Sequence, residues 1–71
     1  MRYMLMYKSS GSMIGVGLYS NEGEARRAMM DYLDRLHIKS YYQRYWGDNP
    51  KICDFGSHTS FFYLYDRKSN A

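Results

Sequence analysis

Apolar and polar residues alternate in two different rhythms along this 71-residue chain. "RYMLMYK" (Arg2 to Lys8) is a strand-length, mostly apolar run that stops at a Ser/Gly cluster. "MIGVGLY" (Met13 to Tyr19) is a second such run, and the short link between them predicts a hairpin. If Lys8 lies opposite Met13, strict alternation groups Tyr3, Leu5 and Tyr7 with Ile14, Val16 and Leu18. Met4, Met6, Met13, Gly15, Gly17 and Tyr19 then take the other face. A slip of one residue exchanges the two sets.

The rhythm then changes. Ala25, Ala28, Met29, Tyr32, Leu33 and Leu36 recur at helical spacing, while Arg26, Arg27, Asp31, Asp34 and Arg35 fill the opposite side. Ser20 or Asn21 is the N-cap, and Glu24 follows Asn21 by three residues, close to a capping box. Glu22–Arg26 and Asp31–Arg35 are acid-first pairs four residues apart. The prediction is an amphipathic helix from Glu22 to His37.

Three further strand-length runs follow: "SYYQRYW", "KICDF" and "FFYLYD", separated by the turn-forming "GDNP" and "GSHTS". In the last, Phe62 and Leu64 face the helix and Phe61, Tyr63 and Tyr65 face away. In "SYYQRYW", Tyr41, Gln43 and Tyr45 alternate with Tyr42, Arg44 and Trp46, and neither set is wholly apolar. The fold class is α+β in the order ββαβββ: one amphipathic helix packed on a mostly antiparallel sheet of four to five strands. Residues 1–71 form a single domain, with 67–71 a frayed tail. The expected packing partners of the helix are Leu5, Ile14, Val16, Leu18, Phe62 and Leu64. One helix covers only one face of a sheet, so the other face lies open.

Composition bears on what that open face does. Aromatic residues make up 18% of the chain, and 9 of the 13 are Tyr. A domain this small has too thin a core to hide them all. The net charge of +3 is spread along the chain, without the clustering of a nucleic-acid footprint. The single Cys53 excludes an intrachain disulfide and suits a reducing compartment. Tyr3 to Tyr7 is too short for a signal-peptide core, so the expectation is a complete, cytoplasmic chain with no membrane contact.

The candidate chemistry is thin. Cys53 and His58 are the only nucleophile–base pair that can be built, and Asp54 points to the opposite strand face from Cys53. "DFG" lacks every other kinase feature, and "GVG" lies inside a strand without a phosphate-loop lysine. His37, His58 and Cys53 have no metal-ligand spacing. The reading is a protein without enzymatic activity, cofactor or metal. It contacts a macromolecule through Tyr41, Arg44, Tyr45, Trp46, Phe61, Tyr63 and Tyr65. Tyr, Trp, Arg and Met are enriched at the centres of protein interfaces, which favours a protein partner, including a homodimer made by stacking two open faces. Single-stranded nucleic acid stacked on the rings is the alternative.

The helix, the turn after Trp46 and the ending "DFGSHTSFFYLYD" resemble small proteins encoded by phages and mobile elements of Gram-positive bacteria, without reaching a named family. The resemblance is best over the second half. It implies a compact binder, such as an inhibitor of a host nuclease or defence protein, and carries over no site residues.

Overall fold

A computed structural model describes residues 2–67. The elements are β1 (Tyr3–Ser9), β2 (Ser12–Tyr19), α1 (Glu22–Arg35), β3 (Arg44–Trp46), β4 (Lys51–Asp54) and β5 (Ser60–Asp66). The strands form one antiparallel sheet in the order β2-β1-β5-β4-β3, with α1 against one face. This is the expected α+β architecture, with five strands. Arg67 N–H donates to the Arg2 carbonyl at 2.7 Å. The rest of the expected tail, 68–71, lies outside the described residues.

Local chemistry accounts for the ends of the elements. Ser10 (φ 50) and Gly11 (φ 87) both take positive φ, as a two-residue hairpin turn requires, and Lys8 pairs with Met13 as expected. Asn21 caps α1, its side-chain oxygen accepting from the Glu24 N–H at 2.9 Å. The Glu24 carboxylate accepts from the Ser20 N–H in return. Glu22 and Arg26 form their ion pair at 2.7 Å, whereas Asp31 and Arg35 form none. The helix stops two residues before the expected His37. There His37 N–H donates to the Asp34 carbonyl and Ile38 N–H to the Leu33 carbonyl, with His37 in the left-handed region (φ 58). That is a Schellman ending with His where Gly is usual.

The core lies between α1 and one sheet face. Ala25, Met29 and Leu33 from the helix meet Leu5, Tyr7, Cys53, Phe62 and Leu64 from the strands. Its centre is aromatic: the Phe62 ring is 5.0 Å from Tyr7, 5.5 Å from Phe55 and 6.1 Å from Tyr32. Phe55, the last residue of the expected run "KICDF", lies just past β4 and is fully buried. Leu36, the last member of the expected helix stripe, is exposed.

Two expected core residues are not in the core. The β1–β2 register shifts between Leu5, opposite Gly17, and Met6, opposite Gly15, leaving Val16 as the extra residue of a bulge. Beyond the bulge the faces of β2 exchange. Tyr19 packs against the core, and Leu18, opposite Met4, turns to the open face at 45% exposure. Ile14 keeps its predicted side but stands half exposed on this edge strand.

The open sheet face

No helix or strand covers the second sheet face among the described residues. Register sorts its side chains into rows across the strands. Met13 on β2 is level with Lys8 on β1 and Phe61 on β5. One step past the Cys53–Phe62 pair, Asp54 on β4 continues that row, and Arg44 on β3 ends it. The next row runs Gly15, Met6, Tyr63, Ile52, Trp46. A third holds Leu18, Met4 and Tyr65.

Five of the seven candidate residues therefore share one surface: Arg44, Trp46, Phe61, Tyr63 and Tyr65. The Trp46 and Phe61 rings meet edge-on at 6.2 Å. The Lys8 ammonium stands 5.8 Å from the Tyr63 ring centre, and the Arg44 guanidinium 5.7 Å from that of Tyr42. The Tyr42 hydroxyl donates to the Asp54 carboxylate at 3.5 Å.

Tyr45 and Tyr41 do not join them. Tyr45 pairs with Cys53 and turns to the helix side, where it packs against the core under the Arg26 guanidinium, 4.6 Å from its ring centre. Its hydroxyl donates to the Gln43 side-chain oxygen at 2.9 Å, and the Gln43 amide reaches Met30 on α1. Burial pushes the Tyr45 phenol up to about 12, with Cys53 beside it adding to the effect. Tyr41 precedes β3. Its N–H donates to the Phe55 carbonyl, its ring lies against Gly56 and near the Lys39 ammonium, and it is 69% exposed. Hence Tyr42, Arg44 and Trp46 are the members of "SYYQRYW" on the open face.

Tyr42, Leu18 and Ile52 also lie on this face, outside the expected contact residues. Alternation with Arg44 and Trp46 carried the signal for Tyr42, and alternation with Asp54 that for Ile52. The β2 bulge hid Leu18. Met4, Met6 and Met13 do lie together, as the strand pattern predicts. Over β1 and β2 the face sinks into a groove of about 550 Å³ lined by Met4, Met6, Gly15, Val16 and Leu18, with Arg67 at its rim.

The other candidate chemistry is dispersed. Cys53 is buried, and desolvation raises its thiol pKa, whereas His58 is exposed in the turn before β5. Among the described residues no three His, Cys, Asp or Glu side chains are grouped to hold a metal. No helix there is long and apolar enough to cross a membrane. The chain matches no family model, no curated protein and no solved structure.

Proposed function

We propose that the protein is a non-catalytic binding module that seats its open sheet face on another protein surface. The observation that carries this reading is the make-up of that face. Methionines, tyrosines, Trp46, Phe61, Ile52 and Leu18 sit together, with charge only at Lys8, Arg44 and Asp54 inside the rows. A contiguous apolar patch of this kind is unusual on a monomer and common at interface centres, where Tyr, Trp, Met and Arg are enriched. The buried thiol of Cys53 fits a reducing compartment such as the cytosol. The resemblance to phage and mobile-element proteins adds the finer proposal that the partner is a host nuclease or defence protein, inhibited by being covered.

The test is capture from a Gram-positive bacterial lysate on the immobilised full chain. Trp46→Ala and Tyr63→Ala should lose a protein that the wild type holds, while Arg27→Ala, on the exposed helix side, should keep it. Equal capture by all four chains would refute the reading.

Single-stranded nucleic acid is the second reading, favoured by the Phe61, Tyr63, Tyr65 column on the central strand with Lys8 and Arg44 beside it. Against it, the β1–β2 half of the face offers methionines rather than charge. An oligonucleotide titration at low and high salt decides. Phosphate contacts would make affinity fall steeply with salt.

A further inference from the structure

The rows of the open face complement themselves. We propose that the surface seated on this face is a second copy of the chain, in a face-to-face dimer whose two-fold axis runs along β5. The proposal rests on the reading of this face as a protein contact and names a second copy, in place of a host protein, as its occupant. β5 is the central strand, so a two-fold axis along it lays the β2–β1 half of one copy over the β4–β3 half of the other. Residues of one row then face residues of the same row. Lys8 meets the partner's Asp54, Met6 meets the partner's Ile52, and Phe61, Tyr63 and Tyr65 meet their own counterparts.

Shape agrees with charge. The β1–β2 half is hollow, because Gly15 has no side chain and the groove runs from there to Leu18. The β3 half is raised by Trp46, which is 43% exposed. The same rotation sets each ridge over the other copy's hollow. Facing twisted sheets turn by about 30°, which slides the outer strands past each other more than the inner ones. Trp46 is therefore matched to the groove as a whole, and the inner pair of Lys8 and Asp54 sets the register. Among the described residues neither Lys8 nor Asp54 forms an ion pair within one copy; β5 stands between their strands, and the Asp54 carboxylate accepts only from the Gly56 N–H and the Tyr42 hydroxyl. Five strands at about 4.8 Å by about 20 Å of strand give a footprint on the order of 500 Å² per copy. The total of roughly 1,000 Å² is at the lower bound for a specific interface.

Sedimentation velocity of the full chain over a concentration series tests this. The wild type should pass from monomer to dimer. Lys8→Glu, which sets two carboxylates against each other, should weaken the dimer by about tenfold or more, and the swap Lys8→Glu/Asp54→Lys should restore it. Gly15→Phe gives a second test that does not depend on how the swap folds. A Cβ at Gly15 meets only the Met6 sulfur, at 3.8 Å, so the monomer accepts the ring while the hollow is filled. Its dimer should also weaken by about tenfold or more. A chain that stays monomeric throughout, or a dimer that Lys8→Glu and Gly15→Phe leave within about twofold, overturns the proposal. If the chain is monomeric yet Trp46→Ala and Tyr63→Ala still abolish capture of another protein, the contact face stands and only its occupant is wrong. If capture is also unaffected, both readings fall.

Discussion

Trp46 stands edge-on to Phe61, two strands away across β4, and the contact leaves the outer part of the indole in solvent. A ring placed this way contributes less to folding than a buried one and much to a contact. Trp46→Ala should therefore lower stability by about 1–3 kcal/mol, from the lost ring pair and the apolar area that the half-buried indole covers. Its effect on partner affinity should be at least about 2 kcal/mol, as for an interface anchor. Phe62→Ala, on the other side of the sheet and completely buried, should cost about 3–5 kcal/mol of stability instead. Denaturant melts of the two variants, read beside their binding curves, check the contrast. A Trp46→Ala protein as unstable as Phe62→Ala would put the indole in the fold rather than on the contact.

The helix was legible because its signals are local and repeated: the Asn21 cap, the apolar stripe and the acid-first pair of Glu22 and Arg26. The sheet was legible only up to its irregularities. A bulge adds one residue without changing composition, and the glycines either side of Val16 have no side chain to show which face they take. Strict alternation therefore carried Leu18 into the core in place of Tyr19. In "SYYQRYW" alternation separated the two faces correctly, but both are mixed. Pairing with β4 decides that Tyr45 turns inward and Arg44 and Trp46 outward, and β4 is remote in sequence. Phe55 follows a strand end, and only tertiary packing buries it.

Asn49 joins two segments far apart in sequence, which alternation could not reveal. Its side-chain amide donates to the Asp66 carbonyl at 2.9 Å, and its oxygen accepts from the Asp66 N–H at 3.0 Å. The side chain thus stands in for a strand residue where β4 has not yet begun, and ties the turn after Trp46 to the end of β5. Asn49→Ala removes both bonds and should lower stability by about 1–3 kcal/mol. Asn49→Asp keeps the acceptor, loses the donor, and should fall between. Chemical denaturation of the three chains gives the order, and an unchanged midpoint in Asn49→Ala would show that water replaces the amide at no cost.

The ending of α1 predicts a gain. His37 holds a left-handed conformation that costs an L side chain about 1–2 kcal/mol, and glycine takes it without that cost. After the larger chain entropy glycine loses on folding, His37→Gly should raise stability by about 0.5–1 kcal/mol. His37→Ala should give no such gain, since the alanine Cβ meets the same clash. Thermal melts of the pair separate backbone relief from mere loss of the imidazole.

Tyr45 makes the fold sensitive to alkali. Its phenol titrates near 10.0 when free and is pushed up to about 12 in the folded chain, chiefly by burial. Between these values the unfolded chain has released a proton that the folded chain still holds. By linkage, stability falls as pH rises through this window, and the contribution is fully present below pH 10.0. Tyr45→Phe keeps the ring beneath Arg26 but removes both the proton and the bond to Gln43. It should be less stable than wild type at neutral pH by about 1 kcal/mol, the usual net worth of one hydrogen bond. From pH 10 to 12 its stability should decline less steeply, so the gap between the two chains narrows. The Cys53 thiol is raised in both chains, chiefly by burial, and losing its hydrogen bond to Tyr45 raises it further in Tyr45→Phe, which works against the narrowing without being its main cause. Urea midpoints measured on both chains across this range check the sign. Parallel curves would mean that the Tyr45 hydroxyl is as well solvated in the folded state as in the unfolded one.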